Sequence, residues 1–288
     1  MASGGITARN TRQGLRSEYI AKYIFSAFGT AVEVTSGNDI GIDLLCNLTF
    51  DQGKLIVYKS TYGIQVKSRG AEFKYSGKVA TGWLSKMEFP LLLVEIDKGQ
   101  SAVKVYSTWN LNRYILGLHT DEEGSYPDEV IFDTTITDVL TEPDCTKGIV
   151  PVGKPILEFN FTDIDDSLTC NNLCSVLNDW LEIDDKNYAM RRAGVSMAYG
   201  YTKWETNKKP TEQGVWYKPY FYSSHHTEKI MKLLSEIWPV LGLYHKESSK
   251  DGSLEPFRSI FNDLFVFAHK HLFQKFGDFE KGVFDKEL

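Results

Sequence analysis

With 288 residues, 42% of them hydrophobic and 24% charged, the chain has the make-up of a folded globular protein and room for one large domain or two modest ones. A formal net charge of −6 argues against a protein that coats nucleic acid non-specifically, because counterion release needs a positive surface, yet it leaves room for a local basic groove. No apolar run approaches the ~20 residues that span a bilayer, and Met1–Arg16 carries no apolar signal segment, so no membrane partner and a cytoplasmic location are expected.

Residues 10–28 have a helical period, with Leu15, Tyr19, Ile20, Tyr23, Ile24 and Ala27 on one broad apolar face and Gly29 placed to stop the helix. From Ile40 the period becomes two. Ile40, Ile42, Leu44, Cys46, Leu48 and Phe50 fall on one face of a strand, with Gly41, Asp43, Leu45 and Asn47 on the other. Asp51-Gln52-Gly53-Lys54 reads as a hairpin turn, and a second strand runs from Leu55 to about Lys67. Pro90 precedes the run Leu91-Leu92-Leu93-Val94, which ends in Glu95-Ile96-Asp97. A strand apolar on both faces belongs in the middle of a covered sheet. Lys98-Gly99 turns the chain, and Val103–Tyr106 returns as a short strand. A helix, meandering strands and one fully buried strand predict an α/β sandwich.

Residues 120–165 are turn-rich and acidic with short β-like pieces, and three helical patterns follow. Leu173, Val176, Leu177, Trp180 and Leu181 make the first. Ile230, Leu233, Leu234, Ile237 and Leu241 make the second, ended or kinked by Pro239. Phe257, Ile260, Phe261, Leu264, Phe265 and Leu272 make the third. A soft boundary near residue 155 separates the halves. Cys170 and Cys174 lie one helical turn apart, but with Cys46 and Cys145 scattered no zinc set forms, and buried or free thiols are expected. His225-His226 and His269-x-His271 lack metalloprotease spacing. The chain has neither a Walker-type phosphate loop nor a nucleophile elbow.

The chemistry concentrates on Asp43 and Gln65-Val66-Lys67. If the two strands pair as a hairpin with Ile64 and Val66 on the apolar face, Asp43, Gln65 and Lys67 share the opposite one. A carboxylate, an amide oxygen and an ammonium converging there suit a divalent cation and a water. Hard Mg²⁺ takes oxygen ligands, with the Val66 carbonyl as the natural backbone donor. The metal lowers the pKa of bound water, and Lys67 orients that water or offsets transition-state charge.

The segments Asn38-Asp39-Ile40-Gly41-Ile42-Asp43-Leu44 and Gly63-Ile64-Gln65-Val66-Lys67-Ser68 resemble the PD-(D/E)XK phosphodiesterase superfamily, closest to its restriction-endonuclease and Holliday-junction-resolvase-like branches with Gln in the last motif. More narrowly they resemble a bacterial domain-of-unknown-function family in which a Trp and a Pro-Leu-Leu-Leu-Val strand follow, as Trp83 and Pro90–Asp97 do here. The resemblance covers roughly residues 10–110. It implies a restriction-endonuclease-like α/β sandwich with a central mixed sheet over 1–155, while the helical patterns that follow predict a mainly helical region over 156–288, for substrate binding or oligomerisation. It further implies Asp43 as main metal ligand, Gln65 as a weaker one, Lys67 as catalytic lysine, and Glu18 as accessory ligand through water, with Gly14 one turn before it. The implied activity is a Mg²⁺- or Mn²⁺-dependent endonuclease acting on DNA in restriction or phage defence, as a homodimer or with a defence-complex partner. Gln65 departs from the commoner acidic residue and removes a negative charge.

For substrate contacts the candidates are Arg12 and Arg16 (beside Arg9), Ser68, and Lys203, Lys208 and Lys209. These lysines are interleaved with Tyr201, Trp204, Trp216, Tyr217 and Tyr220 in a stretch where four lysines, Lys218 included, stand against Glu205 and Glu212. Packing of the C-terminal core is the plainer reading of those aromatics. The rival functions are a catalytically silent nucleic-acid-binding module on the same fold and a protein-interaction component of a larger complex.

Overall fold

The computed structural model describes residues 9–34, 41–53, 55–117, 127–138, 141–192, 197–210 and 215–219, all within one unit spanning Met1–Tyr222. The patterns expected at 230–241 and 257–272, and all four histidines of the two pairs, lie outside the described residues.

Helix α1 covers Arg9–Ser26. Its buried stripe is Ser17, Ala21, Ile24 and Phe25, continued by Phe28, while Leu15, Tyr19 and Tyr23 are exposed. This corrects the expected face by more than a third of a turn. Hydropathy favours the tyrosines, but their hydroxyls belong at the surface, and Tyr23 donates to Asp165 at 3.4 Å. Gly29 does not stop the helix directly. Phe28 N–H closes the last turn on the Phe25 carbonyl, and Gly29 opens strand β1, Gly29–Glu33, which the sequence pattern did not disclose.

Strands β2, Leu44–Gln52, and β3, Leu55–Ser68, form the expected hairpin, running in register from Gln52↔Leu55 to Leu44↔Ile64 with one irregularity between Asn47 and Thr49. Strand β5, Leu91–Asp97, lies inside the sheet, parallel to β3 and antiparallel to β6, Ala102–Ser107. With β9, Leu157–Asn160, on the far edge, these strands make a six-stranded mixed sheet in the order β1-β2-β3-β5-β6-β9. The remaining strands form a three-stranded sheet, β4 (Phe73–Ser76), β7 (Glu129–Asp133) and β8 (Ile149–Pro151), and a two-stranded one, β10 (Met197–Tyr201) and β11 (Val215–Pro219). Helices α2 (Lys78–Lys86), α3 (Asn110–Gly117) and α4 (Ser167–Arg192) complete the mixed α/β fold.

The apolar run of β5 serves two cores. Leu92, Val94 and Ile96 join Leu44, Ile64 and Val66, residues of α1 and those of α4 in one cluster. Leu91 and Leu93 join Phe73, Tyr75 and Leu84 in the other. Period-two alternation delivers the two sets to opposite sides of the strand, which explains why this segment shows no polar face. Ile42 sits in the second cluster, not with Leu44 and Cys46 as its parity implied, because regular strand geometry begins only at Leu44. The expected boundary near residue 155 falls inside this body: β9 hydrogen-bonds to β6, and α4 buries Leu173, Leu177, Trp180 and Leu181 in the first cluster. Cys46, Cys170 and Cys174 are buried free thiols, and Cys145 is a half-buried one. Among the described residues no helix is long and apolar enough to cross a membrane.

Candidate active site

The site forms where the β2–β3 ladder ends. Asp43, just before β2, still donates its backbone N–H to the Ile64 carbonyl at 2.8 Å. Two residues further along β3, the Asp43 carboxylate stands in for the missing strand and accepts the Val66 N–H at 2.5 Å. Alternation along β3 points the Val66 carbonyl to this same edge, while Gln65 faces β5 with its backbone groups. The side chains of Asp43, Gln65 and Lys67 line one open cleft of about 480 Å³. The expected juxtaposition of these three residues is therefore present.

Gln65 is only 5% exposed, and its Oε1 has no hydrogen-bond partner among the described residues. A buried amide oxygen left so is expensive unless a ligand meets it. Lys67 is half-buried, and in the ladder it stands opposite Glu95 of β5. Glu95 accepts the Gly70 N–H at 3.2 Å and is not among the cleft-lining residues.

The far wall was not read from sequence. It comes from β4 and the start of α2, with Lys74, Tyr75 and Ser76 on the strand and Val79, Ala80 and Trp83 on the helix. Tyr75 stacks on Trp83 with ring centroids 6.3 Å apart, and meets Phe132 edge-on at 6.0 Å. Its hydroxyl donates to the Gly41 carbonyl at 2.5 Å. Gly41 holds φ +86°, and a β-carbon there would run into the Tyr75 ring, so only glycine fits. The Gly-Ile-Asp motif thus owes its glycine to an aromatic ring from a different sheet. Lys74 forms an ion pair with Glu129, whose hydrogen bond and charge hold the ammonium above its ordinary pKa.

Glu18 does not line the cleft. Its neighbour Ser17 points into the α1 side of the sheet, where Ser17 Oγ and Ser68 Oγ lie 2.9 Å apart and Lys98 Nζ donates to both, at 2.9 and 3.0 Å. Ser68 therefore faces away from Lys67 and fastens the end of β3 to α1. Arg16 is exposed on α1, and the side chain of Arg12 lies outside the described residues. Lys203 is exposed, Lys208 pairs with Glu205, and Lys209 pairs with Asp179 at 3.4 Å. Tyr201 and Trp204 pack edge-on against Trp180, each at 5.0 Å, inside the first core. The side chains of Trp216, Tyr217 and Tyr220 are outside the described residues.

Among the described residues no group of three or more His, Cys, Asp and Glu side chains is arranged to hold a metal. Around the cleft the available donors are oxygens: the Asp43 carboxylate, the Gln65 amide and the Val66 carbonyl. That set fits a hard cation completing its shell with water and phosphate oxygen, and does not suit a soft metal. No family model matches the chain, and neither do any curated protein or solved structure.

Proposed function

We propose that the cleft is the active site of a divalent-metal-dependent nuclease of the PD-(D/E)XK type, hydrolysing phosphodiester bonds in DNA. The observation that carries the reading is the convergence of Asp43, Gln65 and Lys67 in one cleft, with the Gln65 Oε1 unmet among the described residues. The six-stranded mixed sheet, with α1 against β3, is compatible with the restriction-endonuclease-like sandwich that the reading requires.

In this reading Asp43, Gln65 and the Val66 carbonyl would hold Mg²⁺ or Mn²⁺, which would supply Lewis-acid polarisation of the phosphoryl oxygen and a lowered pKa for water. The Val66 N–H fixes the Asp43 carboxylate, so ligand geometry is set before substrate arrives. Lys67 orients the attacking water and offsets charge gathering on the phosphoryl oxygens. Glu18, outside the cleft lining, takes no step.

One observation favours a second reading, a catalytically silent nucleic-acid-binding module: among the described residues Asp43 is the one carboxylate lining the cleft. A single experiment separates the two. Plasmid, linear duplex and single-stranded DNA are incubated with Mg²⁺ or Mn²⁺ and the parent chain, Asp43→Ala or Lys67→Ala. Cutting by the parent that falls at least about 100-fold in both folded variants is expected. No cutting by the parent, together with no Mn²⁺ binding that depends on Asp43, overturns the nuclease reading.

A further inference from the structure

The two walls of the cleft differ in chemistry. One carries Asp43, Gln65 and Lys67. The other presents Val79 and Trp83, one helical turn apart on α2, with Ala80 between them. Val79 is 89% exposed, and Trp83 is half-buried. Val79 and Trp83 together offer a small apolar surface beside the polar side of the cleft, which a flat apolar group can cover. The tryptophan is also held in place. Tyr75, 3% exposed, backs it, Phe132 backs Tyr75, and the Tyr75 hydroxyl is tied to Gly41. A rigid aromatic platform loses little entropy when a ring stacks on it.

The other cations near this wall do not recommend it as a phosphate track. Lys74 is already engaged by Glu129. A flat apolar group joined to a phosphate is what the two walls accept together, and an unpaired nucleobase has that form.

We infer that Trp83 and Val79 form a base-stacking subsite, so that the substrate is single-stranded nucleic acid, or a strand with an unpaired nucleotide, and not continuous duplex. The inference rests on the nuclease reading for the phosphate side of the cleft. A base held within a duplex keeps both faces against its neighbours and cannot stack on Trp83, whereas every unpaired base has a free π-face. Little sequence preference follows.

The test uses the full chain with three labelled oligonucleotides of one sequence: single-stranded, duplex, and single-stranded with abasic sites at its centre. Binding is measured by anisotropy without metal, and cutting with Mn²⁺, for the parent, Trp83→Ala, Trp83→Phe and Val79→Ser. The parent is expected to prefer the single strand to the duplex and to the abasic strand. Trp83→Ala should weaken single-strand binding on the order of 10-fold, Trp83→Phe should retain most of it, and Val79→Ser, at an exposed position, should weaken it less than Trp83→Ala while folding normally. Equal binding of all three oligonucleotides, or single-strand binding unchanged in both Trp83→Ala and Val79→Ser, overturns the subsite. Cutting of duplex with no Trp83 dependence removes the subsite and leaves the nuclease reading standing. Trp83-dependent binding without cutting by any form does the reverse.

Discussion

The carboxylate of Asp43 accepts a hydrogen bond from the backbone N–H of Val66 at 2.5 Å, just past the last paired residues of the hairpin, Leu44 and Ile64. This contact lies at the end of the ladder and holds the one carboxylate that lines the cleft among the described residues.

Charge and hydrogen bonding at Asp43 can be separated. Asp43→Asn keeps an acceptor for the Val66 N–H and removes the negative charge. We expect a melting temperature close to the parent's, Mn²⁺ affinity reduced at least about 10-fold by titration calorimetry, and cutting reduced at least about 100-fold. Asp43→Ala also abandons the Val66 N–H and should melt lower than Asp43→Asn by an amount corresponding to about 1–3 kcal/mol.

Gln65 should show stability and activity moving apart. Its buried Oε1 has no partner among the described residues, so Gln65→Leu removes a group that is costly to bury, and thermal unfolding should show no loss of stability. Cutting and metal binding should nevertheless disappear. A side chain with only a packing role would lower both together. Gln65→Glu restores an anionic donor and should tighten Mn²⁺ binding.

Gly41 and Tyr75 form a coupled pair. Gly41→Ala meets both a positive φ and the Tyr75 ring, and strain at such a backbone position alone is worth about 1–3 kcal/mol. Tyr75→Phe loses only the hydrogen bond to the Gly41 carbonyl, about 1 kcal/mol. Tyr75→Ala removes the clashing ring, so Gly41→Ala should be less destabilising in that background than in the parent. Chemical denaturation of the four chains in this cycle measures the coupling.

Asp184 on α4 governs a pH dependence away from the cleft. It is 1% exposed. Burial holds its carboxyl well above the ordinary value of 3.8, the charge of Asp185 adds to the shift, and Arg191 and the Ser107 hydroxyl oppose it. Between the ordinary value and the raised folded value, the folded chain holds a proton that the unfolded chain has released, so this group's contribution to stability falls as pH rises through that window. Asp184→Asn should therefore melt higher than the parent at neutral pH, with the gap closing as pH falls towards 4. A constant gap across that range would show that Asp184 is already ionised in the fold.

Much of the site was legible because it is local. The β2–β3 hairpin, the placing of Gln65 and Lys67 on one face, and the interior position of β5 all follow from periodicity and a turn, which depend on near neighbours. Signals failed where a residue answers to a distant one. The stripe of α1 was misplaced because its core-facing Ser17 is polar, and Ser17 is polar because Ser68 and Lys98 meet it. Ile42 changed sides because the ladder ends at Leu44. Helix α2 went unread, being only nine residues long and with an apolar stripe that faces the cleft.

The order of residues along β3 was sufficient to put an amide and a lysine on the face opposite Ile64, and the turn made the strand before it, which begins at Leu44, bring Asp43 close to them. The other wall could not be foreseen. Nothing near Gly41 in the chain indicates that Tyr75 lies over it, or that Trp83 and Val79 stand across from Asp43, because those positions depend on how a second sheet and a short helix pack against the first. What the second wall of the cleft offers a ligand was decided there, by packing between elements far apart in sequence.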